Sequence, residues 1–578
     1  MRKSFLALLP YLKPRFFWYL AGLACLLVTN AGQLLIPQWI KHAVNQLQAG
    51  LPQGPALESI LWGLGITSIF IALGRVGWRF FLSGSSRRIE AELRRDLFEH
   101  LTKLPPSFYA RYRVGDLMAR ATNDLDAVRM AIGFALVAFT DAIFLSGSIL
   151  VILFLQNPLL ALIIVSPLPV ITVLILALGG RVGKLFQAVQ EAYSHLSTFV
   201  QEHLSGNRVI KAFVLESKKD AQFLESNQRY KDANMRLVRL WGFFFPLISA
   251  LSGISVLLLL YFGGLAVLHH QLSLGEFTAS LSYLTMLIWP LMGAGMVVNL
   301  IQRGAASLKR IVEILSVEPE ILAPPQALPS PHRFDLSLRK LSFAYSKESP
   351  EVLQDIDLEI PQGTFLGILG RVGSGKSSLI FLLPRLWDPP EGTVFLDGRD
   401  VRDYGLAALR SCFSLVPQTT FLFSESIKDN LAFAAPEADE AFLRRMADVS
   451  TISRDFDSFS QGWDTLVGER GVTLSGGQKQ RLALSRALAA RSPVLILDDA
   501  LSAVDVETEE KIISHLREER KGTTNIIISH RVATLRRCDS IIVLDEGKIV
   551  QRGTHAGLMA QEGIYREIAR LQHTEEIS

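Results

Sequence analysis

Apolar residues run almost unbroken through six stretches in the first half of the chain, at about 16–36, 57–82, 132–155, 159–179, 243–268 and 277–301. A helix crosses a hydrocarbon core of about 30 Å with roughly 20 residues. The pattern therefore predicts six membrane-spanning helices. Beyond about Gln302 the runs shorten. Apolar stretches such as Thr364-Phe365-Leu366-Gly367-Ile368-Leu369 and Val494-Leu495-Ile496-Leu497 alternate with segments of helical period. That alternation predicts an α/β domain on a parallel sheet. Five prolines between Val317 and Pro331 deny backbone donors and favour extended chain, which marks a linker. The expected division is a helical membrane domain over 1–316, a Pro-rich linker over 317–333 and an α/β domain over 334–578.

The polar connections predict the topology. The segment 87–129 holds nine Lys and Arg and the segment 181–239 holds ten, whereas the turns at Gln156-Asn157-Pro158 and His269-His270-Gln271 hold none. The positive-inside rule puts both basic segments, both termini and the α/β domain in the cytoplasm of a cell whose inner (plasma) membrane the chain crosses several times. Runs such as Ile89-Glu90-Ala91-Glu92-Leu93-Arg94-Arg95 read as helical. The basic segments are thus cytosolic extensions of the spans, capped by short turns near 108–116 and 206–213. At the N-terminus, Gly22-Leu23-Ala24-Cys25 resembles a lipoprotein cleavage site but has Gly where a branched aliphatic is required. An uncleaved first span is expected, preceded by an amphipathic stretch over 5–11 at the membrane surface.

Composition agrees. Hydrophobic residues make up 49% of 578, and the mean hydropathy is +0.29. The net charge of +4 comes from Lys and Arg beside the spans, so nucleic acid is not the implied partner. Cys25, Cys412 and Cys538 lie far apart and form neither a disulfide framework nor a metal site.

The chemistry begins where the strand ending at Leu369 meets Gly370-Arg371-Val372-Gly373-Ser374-Gly375-Lys376-Ser377-Ser378, followed by a helical run. Strand, glycine loop and helix form a P-loop, in which backbone N–H groups and a helix N-terminus cradle phosphates. Lys376 is expected at the β- and γ-phosphates and the Ser377 hydroxyl on Mg²⁺. Asp498, at the carboxyl end of the strand 494–497, is the expected second Mg²⁺ partner. By itself such a carboxylate is an ordinary strand end; beside a P-loop it carries meaning.

Between these motifs lies Leu474-Ser475-Gly476-Gly477-Gln478, which resembles the signature of ATP-binding-cassette (ABC) transporters. Further matches to that family follow in order over essentially the whole chain. The resemblance implies that Tyr345 stacks on adenine, that Gln418 senses Mg²⁺, and that Val467-Gly468-Glu469-Arg470 is an exporter-specific loop. It also implies that Asp505 lies in the loop crossing between subunits and that His530 is the γ-phosphate switch. ATP and Mg²⁺ are the implied ligands. One subunit's P-loop holds ATP while the partner's signature closes on the γ-phosphate, so a chain with one cassette must pair with a second half-transporter.

One departure from the family stands out. After Asp498 the family usually has Glu, which activates water; here Asp499 stands there. Losing a methylene shortens the reach by roughly 1–1.5 Å, and a misplacement of about 1 Å costs on the order of 10² in rate. The combination of Asp499 with an intact signature resembles the degenerate-site subunit of heterodimeric, antigen-peptide-transporter-like bacterial multidrug exporters. The alternative is a homodimeric multidrug or lipid (flippase) exporter with two working sites. A soluble or DNA-repair cassette is opposed by the six apolar runs, and an ATP-regulated receptor or channel by the intact signature with His530.

Substrate identity is weakly written. Ionisable residues within spans default to functional hypotheses, and here they are Arg75, Arg79 and Asp141. They are either part of an aqueous substrate cavity or a structural ion-paired group. Phe139, Phe245 and Trp289 are candidate cavity aromatics, although a lipid-facing or packing role is the commoner one for any single aromatic in a span. The mix suits amphipathic drugs, peptides or lipids without choosing among them.

Overall fold

The computed structural model describes residues 6–50, 54–346, 348–468 and 474–577. By contacts the chain divides into two units, 1–102 with 113–317, and 103–112 with 318–578.

The first unit is helical. Its long segments are α1 (Leu9–Gln48), α2 (Leu57–Lys103), α3 (Val114–Gln156), α4 (Pro167–Ser205, preceded by Pro158–Val165), α5 (Glu216–Leu268) and α6 (Leu274–Leu315). Among the described residues, α1, α2, α3 and α5 are long and apolar enough to cross a membrane, and shorter apolar stretches cover Pro158–Val170 and Leu274–Ile288. The predicted spans 159–179 and 277–301 run on into positions whose side chains lie outside those described, including Trp289; the Phe245 side chain, in α5, lies outside them as well.

Helices α1 and α2 approach closely because small residues line their seam. A Cβ on Gly22 would meet Leu82 at 2.6 Å, one on Gly32 would meet Ile71 at 2.7 Å and one on Gly77 would meet Cys25 Sγ at 2.7 Å. With no hydrophobic drive between helices in lipid, such close packing is what holds them together. Large apolar residues such as Phe17, Leu61, Trp62 and Leu73 stay exposed, as lipid-facing positions require. The N-terminal stretch is fixed to protein, not merely laid on a surface. Leu8 is fully buried against Ile89, Leu93 and Leu125, and Tyr11 Oη donates to Asp96 at 2.7 Å.

The second unit is the α/β domain. Strands β1 (Leu336–Phe343), β2 (Leu353–Ile360), β4 (Val394–Leu396) and β5 (Arg399–Asp400) form one sheet in the order β2-β1-β4-β5. A second sheet joins β3 (Phe365–Gly370), β6 (Phe413–Val416), β7 (Val494–Asp498), β8 (Thr524–Ile528), β9 (Ser540–Asp545) and β10 (Lys548–Gly553) in the order β10-β9-β3-β8-β7-β6. All its pairings are parallel except β10 with β9. The parallel strands are apolar on both faces. Leu495, Leu497, Ile527, Ile541 and Val543 enter one core, while Val494, Ile496, Ile526, Ile528, Ile542 and Leu544 enter the other.

Two connecting pieces join this unit. In the Pro-rich stretch, Leu328 N donates to Asp403 O at 2.8 Å, so that stretch packs on the domain. The short helix Pro106–Arg111 also belongs here: Ser107 Oγ donates to Glu320 Oε2 at 2.8 Å and Phe108 is buried. Its counterpart in the first unit, Asn207–Ala212, buries no residue.

Candidate functional site

The buried strand β3 delivers the chain into the glycine loop, and α7 (Lys376–Leu382) carries it away. Gly373 and Gly375 have φ of +84° and +97°, a left-handed backbone that only glycine adopts without strain. At Gly375 a Cβ would also sit 2.8 Å from Leu353 and 2.9 Å from Val352 O. The loop closes round a cavity of about 260 Å³ lined by Val372, Gly373, Ser374, Gly375, Lys376, Ser377, Ser378, Gln418, Asp498, Asp499 and His530, with Val352 and Ile528. Residues from five separate stretches of sequence thus meet at the carboxyl edge of the sheet.

Within it, Lys376 Nζ donates to Gly370 O at 2.9 Å and Arg371 O at 2.8 Å. Burial lowers the Lys376 ammonium from its ordinary value, with Asp498 and Asp499 opposing. Burial raises the Asp498 carboxyl; a hydrogen bond from Ser377 opposes the rise, Asp499 adds to it, and Lys376 and His530 pull it back. Ser374 Oγ is buried and has no hydrogen-bond partner among the described residues, a donor free to meet an anion. Ser377, Gln418 and Asp498 supply oxygen donors of the kind Mg²⁺ takes. The cavity is thus chemically suited to a metal-bound polyphosphate.

Other predicted residues stand outside this lining. Tyr345 forms a hydrogen bond with Ser378 through its Oη at 2.7 Å and packs edge-on against Trp387. Arg371 reaches outward to Glu567 at 3.5 Å.

The signature residues also lie apart from the cavity. Leu474 is buried, and Ser475 caps α8 (Gly476–Ala489). Ser475 Oγ accepts from Gln478 N at 3.3 Å while Gln478 Oε1 accepts from Ser475 N at 2.9 Å, a reciprocal capping box. Gln478 Nε2 donates further to Asp455 at 2.9 Å. Residues 469–473, which include Glu469 and Arg470 of the proposed exporter loop, lie outside the described residues. Asp505 caps α9 (Val506–Glu519) by accepting from Thr508 N at 2.9 Å, and that bond lowers its carboxyl from its ordinary range.

Two residues that sequence reasoning passed over tie these pieces together. Gln480 Nε2 donates to Ser502 Oγ at 3.0 Å and its Oε1 accepts from Ala503 N at 2.9 Å, bracketing the loop after Asp499. From the other side Arg531 donates to Val504 O at 2.9 Å and Ser502 O at 3.1 Å, and pairs with the buried Glu509. A glutamine among the apolar positions of α8 was the available signal.

In the first unit Arg75, Arg79 and Asp141 line one cavity of about 390 Å³ with Asn30 and Gln33. Asp141 accepts from Asn30 Nδ2 at 2.8 Å. Among the described residues, neither arginine forms an ion pair within 4.0 Å.

Comparison with known proteins agrees with this geometry. Residues 19–291 match the ABC transporter transmembrane region and residues 353–502 the ABC transporter domain. The chain is 36% identical over 557 residues to a probable multidrug resistance ABC transporter ATP-binding/permease protein of Bacillus subtilis, covering 95% of each chain. It is 30% identical over 577 residues to an ATP-dependent lipid A-core flippase of Syntrophus aciditrophicus, covering 99% of this chain and 95% of that one. Among solved structures it resembles a bacterial Atm1-family ABC exporter with ATP bound, with a TM-score of 0.72, 26% identity and coverage of 97% and 98% of the two chains. The chain belongs to the ABC transporter family. It is a multi-pass membrane exporter whose cassette binds ATP and couples its hydrolysis to transport.

Proposed function

We propose that this chain is one half of a heterodimeric exporter of amphipathic drugs, peptides or lipids, and that the ATP site built on its own P-loop turns over slowly. The observation that carries the reading is Asp499, lining the phosphate cavity where family members usually carry Glu, beside an intact Ser475-Gly476-Gly477-Gln478. On this reading Lys376 and the loop amides bind the phosphates, and Ser377, Asp498 and Gln418 hold Mg²⁺. The metal neutralises charge on the β- and γ-oxygens when bound. Tyr345 meets the adenine, His530 contacts the γ-phosphate, and Asp499 orients water from too far back. The signature acts on the partner's nucleotide, and Asp505 crosses to that subunit.

Support for pairing comes from the separation of the signature from the cavity within one cassette. Two such halves bring each signature to the other's P-loop, and ATP binding then shifts the transporter between states it stabilises differently. The multidrug and lipid-flippase relatives support export of amphiphiles in general. The basic connections support cytoplasmic termini.

The test is ATP hydrolysis. Purified alone, the chain is expected to show little turnover. In the paired complex, Asp499→Asn is expected to change turnover less than about twofold, while neutralising the partner's catalytic carboxylate costs on the order of 10² or more. Brisk turnover by a homodimer would establish the homodimeric reading instead.

A further inference from the structure

The cavity between α1, α2, α3 and α6 has an unbalanced charge. Its lining holds two cations, Arg75 and Arg79, against one carboxylate, Asp141. Asp141 is engaged by an amide, Asn30, and not by a guanidinium. Arg79 leans on the Trp78 ring at 5.6 Å, and among the described residues no carboxylate lies within ion-pairing distance of either arginine. A cation within a span is costly to insert, so two on adjacent turns with no ion-pair partner among the described residues ask for a function.

Two further observations bear on the same place. The helix widens to a π-turn over Arg79–Ser83 in α2 and over Asp141–Leu145 in α3. Such turns insert a residue, re-aim the side chains that follow and concentrate at functional sites. Beside the polar cavity lies a second one of about 190 Å³, lined by Phe134, Val137, Ala138, Met296, Gly293, Pro290 and Asp141. Asp141 and Pro290 border both cavities. A charged compartment and an apolar one therefore adjoin, with a single carboxylate at their junction.

We propose that these two cavities form one substrate site for an amphiphile whose head carries a carboxylate or phosphate. Arg75 and Arg79 hold the anion, Asp141 and Asn30 take a neighbouring donor of the head, and the apolar body lies along Phe134, Val137 and Met296. This rests on the export reading above and names the substrate class for it. The head is supplied either by a membrane phospholipid or by a soluble amphiphile.

The experiment uses the full exporter in phosphatidylcholine vesicles with two matched probes, a dansyl fatty acid and its methyl ester. ATP-dependent transport of the acid is expected to exceed that of the ester by about tenfold, the worth of one charged hydrogen bond. The acid-to-ester ratio is expected to fall toward one in Arg75→Gln/Arg79→Gln and to be retained in Arg75→Lys/Arg79→Lys. Equal uptake of acid and ester by the native exporter, with phosphatidylserine flipped no faster than phosphatidylcholine, would overturn the proposal without any variant. Transport of neither probe, together with absent ATP hydrolysis, would instead sink the export reading. A parallel arm follows fluorescent phosphatidylserine by dithionite quenching. Flipping of the lipid without uptake of the acid assigns the head to the bilayer, and the reverse assigns it to a soluble amphiphile.

Discussion

Asp499 adopts φ +48° directly after β7, and its N–H donates to Ile528 O at 3.0 Å. That left-handed backbone suits Asp better than most non-glycine residues. The position is anchored by the β7–β8 pairing, and Ser502 Oγ returns a hydrogen bond to Asp499 O at 3.0 Å. With the main chain held on both sides, backbone movement is a poor substitute for the missing methylene. Asp499→Glu is therefore expected to raise phosphate release from this site by about tenfold or more. It is also expected to cost about 1 kcal/mol of cassette stability through the less favourable backbone. Unchanged turnover with intact nucleotide binding would show that carboxylate reach is not what limits the site.

Among the elements, the seam between α1 and α2 makes the sharpest stability prediction. A Cβ on Gly74 would run into Thr29 Oγ1 and sit 3.0 Å from Cys25 O, whereas a Cβ on Gly65 of the same helix meets nothing within 4 Å. Overpacking of such a seam costs about 1–3 kcal/mol, while Gly to Ala in an open helical position gains up to about 1 kcal/mol. Gly74→Ala is expected to lower the melting temperature of the detergent-solubilised protein and Gly65→Ala to leave it unchanged or slightly raised. Both variants lie in one helix, so the pair separates crowding from helix propensity.

For the molecule as a whole, the testable property is orientation. Alkaline phosphatase is active only outside the cytoplasm. Fusions at the turns containing Asn157 and His270 are expected to be active, and fusions at Arg111 and Ile210 inactive. Activity at Arg111 or Ile210 would reverse the topology drawn from the charge bias. The two short connecting helices differ in ways that charge could not show. Pro106–Arg111 packs with the cassette's own unit, while Asn207–Ala212 buries nothing and leaves Leu204, Phe213 and Val214 exposed.

Local rules made much of this protein readable from residues in order. Hydrophobic period decides span against strand, charge bias predicts an orientation for the spans, and a P-loop needs only neighbouring glycines, a lysine and a serine to declare its chemistry. The chain therefore determined by itself a helical membrane part followed by an ATP-binding cassette, along with the shortened carboxylate at Asp499. Tertiary structure decided whatever depends on partners distant in sequence. It brought Gln418, Asp498, Asp499 and His530 to the phosphate loop, and it set Gln480 and Arg531 on either side of one backbone turn. It also gave Asp141 to Asn30, and Arg75 and Arg79 line the same cavity without an ion pair among the described residues. Hydrogen-bond partners more than a hundred residues apart follow from packing, and no periodicity along the chain encodes them.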